Sequence, residues 1–512
     1  MYTNILSATI QGVEAVLVQV EVDVSNGLPG FSMVGNLNSQ VKEAQDRVRT
    51  ALHNAKIVLP PKKVTINISP GDIPKTGTGF DLPIAAAMLE VMGELPPGSM
   101  EGILIAGELS LDGKICGVRG MLSMVAKARE AGCKACIVPK ENETEASMVQ
   151  GIEYVGVENL RNFIESVKKK SWKGKKNCAK RNTEKEDSYL DFADIRGQDF
   201  GKRGALLAAA GFHNLLLMGP PGSGKTMIAS RIGSLLPELS PEEALEVTGI
   251  YSVAGMLSKE TPWISQRPFR SPHHTISPCA LIGGGRIPQP GEITLAHRGV
   301  LFLDELPEMK RSTLELLRQP LEEREIWISR IGGRYCFPAG FLMVAAMNPC
   351  PCGYYPDRNR CCCSPAEVSR YLNRISQPLL DRFDLSAETS SPTYGEFRVE
   401  RRDSRWSTKQ MKKMAEEAQK IQKERYRKEN FCFNGEIPPE KIYQYCVTEE
   451  KGERLLQKVF LQYGLTGRAC NRILRVARTA ADLEGSSLIR EEHIAEAVEY
   501  RSIDKKYWKN QL

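Results

Sequence analysis

Residues 215–226 read LLLMGPPGSGKT, an apolar run entering a loop of small residues that ends in Lys225 and Thr226. Gly219, Pro220, Pro221, Gly222, Ser223, Gly224, Lys225 and Thr226 match G-x-x-x-x-G-K-[ST] without a gap. The chemistry of that pattern is phosphate binding. Small residues let backbone N–H groups curl around a polyphosphate, the next helix presents the positive end of its dipole, and Lys225 adds a point charge. Thr226 then offers its hydroxyl to a magnesium ion. A strand-like run before the loop and a helical run after it favour a nucleoside triphosphate site over a glycine-rich surface turn.

Upstream, DFADIRGQ (191–198) precedes a helix at 205–210. Downstream, Ser240-Pro241-Glu242-Glu243 carries the signature of a helix start. Residues 268–298 are rich in Gly, Pro and His and are expected to form a hairpin or loop insertion. VLFLDE (300–305) is a buried strand ending in Asp304 and Glu305, 308–324 is helical, and 340–347 is an apolar strand ending at Asn348. This order predicts a parallel-sheet α/β core. The first 167 residues read as a separate α+β domain, with strands at 15–24, 64–68, 103–109 and 134–138 and helices at 39–55, 81–92 and 121–131. Residues 168–186, KKKSWKGKKNCAKRNTEKE, are charged and unpatterned, as a linker or a nucleic-acid contact would be. After 408 only helical periodicity recurs, at 408–429, 451–463, 469–483 and 491–501. The divisions expected are 1–167, a basic linker 168–188, an ATPase core 189–392 and a helical lid 393–512.

Bulk composition narrows the setting. Hydrophobic residues at 41% and charged residues at 26% are ordinary for a globular chain. No run of about 20 apolar residues suggests a membrane span, and residues 1–10 lack a signal pattern. The 14 cysteines are therefore expected to be reduced or metal-bound in the cytoplasm. A net charge of +7 permits contact with nucleic acid without requiring it.

Behind a phosphate loop, the strand-terminal Asp304 is expected to hold magnesium and Glu305 to polarise an attacking water. Asn348, on the adjacent strand, is the candidate amide that aligns that water. In PLLDRFD (378–384), Arg382 is the candidate finger for a neighbouring subunit's γ-phosphate, with Arg374 in reserve; a salt bridge to Asp381 or Asp384 is the structural alternative. Arg468 opens a helix of the last domain and is expected to sense nucleotide from a lid, with Arg472 in reserve. CPCGYYPDRNRCCC (350–363) offers two Cys-x-Cys bites eight residues apart. Cys350, Cys352, Cys361 and Cys363 form a candidate structural zinc site beside the Asn348 strand, although Cys362 leaves the choice of ligands open and free thiols are the alternative. His273 and His274 suggest metal, yet neighbours on a strand face opposite ways, so a loop touching substrate or another subunit is the preferred reading.

Together the phosphate loop, VLFLDE, Asn348, PLLDRFD and TGRACNRILRVARTAADL (466–483) resemble an AAA+ ATPase of the magnesium-chelatase-like group. PFRSPHHTISPCALIGGGRIPQPGEITLAHRGVLFLDELPE, MNPCPCG, SPGDIPKTGTGFDLPIA and GELSLDGKICGVRG bring the resemblance closer to the ComM/YifB subfamily, over nearly the whole chain. That resemblance implies a Lon-protease-like N-terminal domain (ribosomal S5 domain 2-like), an AAA+ module with inserted hairpins, a helical lid, and ATP and Mg2+ held between the subunits of a homo-hexamer. Lon cleaves through a Ser–Lys pair; aligned on it, Gly79 stands at the serine position and Leu122 at the lysine position, so the domain is expected to be silent. The function expected is a ring motor moving on single-stranded or branched DNA, with basic hairpins at 270–286 facing the pore. A chelatase-type motor that remodels a protein partner is the main alternative.

Overall fold

The computed structural model describes residues 1–170, 190–258, 261–330, 333–391 and 404–508. Residues 171–188 of the expected linker and the expected boundary at 392–393 lie outside the described residues, whereas Lys168 still belongs to the helix Leu160–Lys168.

The N-terminal region is built on a seven-stranded mixed sheet. Its spatial order is Gly30–Val34, Lys63–Ser69, Glu14–Ser25, Tyr2–Gln11, Ile103–Ile105, Ala135–Pro139, Glu153–Val157. Glu14–Ser25 alternates as its sequence predicts, with Val18, Val20 and Val22 buried. The polar, mixed run before it also forms a strand, because Tyr2–Gln11 is held in register against it from Tyr2↔Asp23 to Gln11↔Glu14. At the hairpin's turn Gly12 has φ +68°, and a Cβ there would meet the Cys336 carbonyl oxygen at 2.6 Å. The tip therefore abuts a hairpin of the central region. The helix Asp81–Val91 is buried along its whole length. Asp81, inside that helix, takes a two-point ion pair from Arg47 at 2.7 and 2.9 Å.

Three expected elements are broken. The strand expected at 103–109 stops at Ile105, because Gly107 donates its N–H to Gly79 and accepts from Leu82 N–H. Glu108–Leu109 then pairs with Ile115–Cys116 as a separate hairpin. The helix expected at 39–55 divides at Glu43 into Ser39–Lys42 and Ala44–Asn54. The helix expected at 308–324 becomes Arg311–Glu315 and Arg318–Glu323, since Pro320 has no N–H with which to continue the ladder.

The central region carries a five-stranded parallel sheet in the order Phe269–Arg270, Val300–Leu303, Leu342–Met347, Leu215–Met218, Leu385–Glu388. Three of these strands are buried at every position, which accounts for their unbroken apolar sequences. The segment 268–298 supplies an edge strand, two short helices and the small hairpin Gly283–Gly284/Gln289–Pro290. A second hairpin, Glu325–Arg330/Gly333–Pro338, stands beside it, and Arg330 donates to the Gly285 carbonyl across the gap.

The helices Thr408–Arg425, Gly467–Leu483 and Glu491–Trp508 pack on the helix Asp199–Gly211, Glu450–Tyr463 packs on Glu491–Trp508, and the bundle shares one core with the sheet. Buried Gln419 and Gln422 donate to the Ala209 and Ala210 carbonyls at 3.0 Å each, and His213 meets Thr479 at 2.7 Å. These bonds tie the bundle to the N-terminal end of the strand Leu215–Met218, the end away from the phosphate loop. Among the described residues no helix is long and apolar enough to cross a membrane.

Candidate nucleotide site

The strand Leu215–Met218 runs into the loop, and the helix Lys225–Ile232 leaves it. Glycine is required at the loop's corners. Gly222 and Gly224 have φ +75° and +88°, and a Cβ on Gly219 would collide with Thr389. Ser223 fixes the loop from the other side, its hydroxyl 2.7 Å from that of Thr389. Lys225 Nζ donates to the carbonyls of Gly219 and Pro220 at 2.8 and 2.9 Å and to Asn348 Oδ1 at 3.2 Å. Burial lowers the Lys225 ammonium to about 8, against the opposing pull of Asp304.

Parallel register brings the other groups alongside. Leu303 faces Ala345 and Met218 faces Met347, so the residues after all three strands emerge together. Thr226 Oγ1 donates to Asp304 Oδ2 at 3.0 Å. A hydroxyl and a carboxylate at that spacing, next to a phosphate cradle, are the hard oxygen donors that suit magnesium. Glu305 holds a left-handed backbone, φ 50° and ψ 45°, unusual for a residue with a side chain and a mark of functional sites. Its N–H is satisfied by Asp304 Oδ1 at 2.9 Å.

His274 was not singled out for this site, yet its Nδ1 lies 3.0 Å from Glu305 Oε2. The segment is a turn rather than a strand, so the rings of His273 and His274 lie on one side with centroids 4.1 Å apart. No sequence signal links residue 274 to 305; only the path of the 268–298 insertion does. DFADIRGQ also joins the site's border. Asp191 accepts from the Thr408 N–H at 2.7 Å, and its carbonyl accepts from Arg231 on the helix that follows the loop.

The predicted arginines are not over this chain's own phosphate loop. Arg382, Arg468 and Arg472 line a cleft of about 440 Å³ with Arg324 and Arg475. Asn214 and Asp384, just before the strands Leu215–Met218 and Leu385–Glu388, lie in the same cleft. The cleft therefore sits at the N-terminal end of the sheet, separated from the phosphate loop by a four-residue strand, about 13 Å. Arg468, expected to sense nucleotide from a lid, lines this cleft rather than its own chain's phosphate loop. Arg382 is ion-paired with Glu322 rather than with Asp381 or Asp384. Arg472 takes those two aspartates at 3.7 and 4.0 Å, and burial together with the nearby Arg501 lowers its guanidinium to about 10. Arg468 is exposed at the rim. Arg374 lies elsewhere, paired with Glu308 at 2.7 Å.

The four cysteines are brought together. Cys350 Sγ lies 3.3 Å from Cys352 Sγ and 3.8 Å from Cys361 Sγ, and Cys363 completes the group. Arg270, expected at a DNA-facing hairpin, is instead held by Glu292 through two bonds of 2.7 Å. Arg286 is exposed at the tip of the small hairpin.

Comparison with known families agrees with this geometry. The family model described as magnesium chelatase, subunit ChlI, matches residues 191–397, that of subunit ChlI of Mg-chelatase matches 20–142, and that of the ChlI C-terminal part matches 405–501. The uncharacterized protein YifB of Escherichia coli (strain K12) is 44% identical over 504 residues, 96% of each chain. The competence protein ComM of Haemophilus influenzae is 43% identical over 514 residues, 98% of this chain and 97% of that one. The magnesium-chelatase 38 kDa subunit of Cereibacter sphaeroides is 27% identical over 233 residues, 42% of this chain and 63% of that one. A parallel sheet with a phosphate loop and a strand-terminal acidic pair defines a phosphate-loop nucleotide-binding protein, and the family matches make it an AAA+ protein of the magnesium-chelatase-like kind. Within that class, the chain belongs to the ComM/YifB-type proteins. Membership implies ATPase activity and the use of ATP and Mg2+.

Proposed function

We propose that this chain is an ATP-driven motor that works as a ring of identical subunits, a homo-hexamer, and moves on single-stranded or branched DNA in the cytoplasm. The observation that carries the proposal is the convergence of Lys225, Thr226, Asp304, Glu305 and Asn348 at one end of a parallel sheet whose arginine cluster lies at the other.

On ATP binding, Lys225 exchanges its bonds to the Gly219 and Pro220 carbonyls for phosphate oxygens, and the loop's N–H groups take the remainder. Thr226 and Asp304 would hold magnesium, which when bound neutralises charge on the β- and γ-phosphates. Glu305 polarises the attacking water and the Asn348 amide aligns it. Charge growing on the γ-phosphate is met by Arg382 and Arg468 of an adjacent subunit, because neither arginine lies at its own chain's phosphate loop. On this reading hydrolysis occurs at a subunit boundary.

The two hairpins are the DNA-contacting elements. Arg286, Arg330 and Arg334 are exposed there, and the Arg334 guanidinium stacks 4.1 Å over the exposed Trp327 ring. An aromatic plane flanked by arginines suits bases and backbone phosphates without reading sequence. The N-terminal domain is a Lon-like scaffold without protease chemistry: Gly79 has no side chain to attack with, and Leu122 is buried in the core where an amine would be needed. Near-full-length similarity to a competence protein supports a role in DNA uptake, and we read that role as branch migration during uptake and recombination.

The test is the ATPase rate of wild type and Glu305→Gln, each with and without single-stranded and branched DNA. DNA stimulation of wild type, with binding retained but turnover lost in the variant, supports the motor. Absence of DNA binding at low salt overturns it. The shorter similarity to a magnesium-chelatase subunit motivates a second reading, a motor that remodels a protein partner, and activation of a chelatase partner without any response to DNA would establish that reading instead.

A further inference from the structure

We propose that Cys350, Cys352, Cys361 and Cys363 bind one structural Zn2+, and that this metal knuckle clamps the phosphate loop and the Asn348 strand into one unit. The clamp rests on the nucleotide-site reading above; the metal does not.

The ligand atoms of all four residues lie within 4.8 Å of one another. The sulfur separations of 3.3, 3.6 and 3.8 Å run up to the edge of a tetrahedron with Zn–S bonds of about 2.3 Å, which is about 3.8 Å. They are far from the ~2.05 Å of a disulfide, and the cysteines are unpaired. Cys362 is exposed and outside the group, which resolves the ligand choice that sequence left open. Around Cys350 the backbone is already shaped for a thiolate. The N–H groups of Gly353 and Tyr355 donate to its sulfur at 3.2 and 3.4 Å, and Gly353 N–H also closes a turn on the Cys350 carbonyl at 3.0 Å. Such N–H···S bonds orient and stabilise metal-bound thiolates.

What the knuckle touches gives it a role. Cys350 stands two residues after Asn348, which accepts from Lys225 Nζ. Gly353 (φ +85°) lies so close to the Pro221 ring of the phosphate loop that a Cβ would strike it. Cys363 precedes Ser364, the cap of the helix Pro365–Leu372, whose far end leads to Arg374 and its pair with Glu308. One ion would therefore add to the ladder between Leu215–Met218 and Leu342–Met347 a second tie, between the phosphate loop, the segment after Asn348 and the helix Pro365–Leu372.

The experiment uses the full chain purified without added metal. Elemental analysis is expected to give about one zinc per chain, retained in Cys362→Ser and lost in Cys352→Ser and Cys361→Ser. Cobalt-loaded protein is expected to show the visible absorption of a tetrahedral thiolate site. Stripping zinc with a chelator is expected to raise hydrogen exchange across residues 219–226 roughly tenfold, reversed by adding zinc back, while the hairpin of residues 2–25 is unchanged. Less than a tenth of a zinc per chain, iron in its place, or loss of zinc from Cys362→Ser overturns the site. Zinc that leaves with no change across 219–226, or with equal loosening of 2–25, overturns the clamp. None of these readouts needs ATP turnover, so failure of the ATPase reading is seen separately.

Discussion

The two ends of the five-stranded sheet are built on opposite principles. At the C-terminal end the chain offers backbone N–H groups, three loop glycines, one lysine and a carboxylate pair, and Lys225 is held by its own loop. At the N-terminal end five arginines crowd a cleft with Glu322, Asp381, Asp384 and Glu436, and burial depresses Arg472 and Arg475. One end is open and short of charge; the other is crowded with cations only partly matched. Buried charge of that kind is costly unless something outside the subunit uses it. On the function proposed above, the contrast gives each chain one half of a nucleotide site at one end and the complement for a neighbour's at the other.

The largest effect that breaks or confirms this contrast comes from the arginines. Arg382→Ala or Arg468→Ala is expected to lower ATPase by about 10³-fold or more, the scale of an arginine finger acting across a boundary. Mixing either variant with Lys225→Ala subunits, each inactive alone, is expected to restore part of the activity, since wild-type halves then meet at some boundaries. Mixtures that stay dead would show that both ends serve the same chain. Next in size, Glu305→Gln is expected to cut turnover by about 10²–10⁴-fold while equilibrium binding of ATP is unchanged. Weaker ATP binding would mean that Glu305 holds the loop rather than the water.

A smaller change is expected at His274. Its pair with the half-exposed Glu305 is worth about 1 kcal/mol, so His274→Ala is expected to raise DNA-free ATPase about fivefold by releasing the carboxylate. A fall in rate would instead make His274 a positioning residue. The smallest effect is titration. Lys225 is charged below about 8 and neutral above it, so nucleotide affinity is expected to weaken as pH rises from 7 to 9. Lys225→Arg, if it still binds, is expected to flatten that profile, and calorimetry in buffers of different ionisation heat would detect proton uptake on binding near pH 8.

Much of this was legible in advance where chemistry and chain order coincide. The phosphate loop, the acidic pair and Asn348 are local strings at strand ends, and parallel pairing leaves their side chains few places to go. Helices with caps were equally legible; Ser240 and Glu243 form the reciprocal cap their spacing predicts. Several failures share a cause, which is dependence on a partner distant in sequence. Tyr2–Gln11 is a strand because Glu14–Ser25 lies beside it, and 103–109 breaks because Gly79 and Leu82 capture Gly107. Arg270 was read as free for DNA, but Glu292, 22 residues on, holds it from both oxygens.

Sequence by itself determined that the chain carries a triphosphate loop, which carboxylates and amide stand at the neighbouring strand ends, and which family it belongs to. Each of these is a short-range pattern whose geometry is set by a single turn or strand. Only tertiary structure decided that Arg468, Arg472 and Arg475 gather with Arg382 at the far end of the sheet, that His274 reaches Glu305, and that Cys363 rather than Cys362 joins the thiol group. Those facts depend on how separately stable elements pack, and packing is decided by non-local contacts that no local spacing encodes.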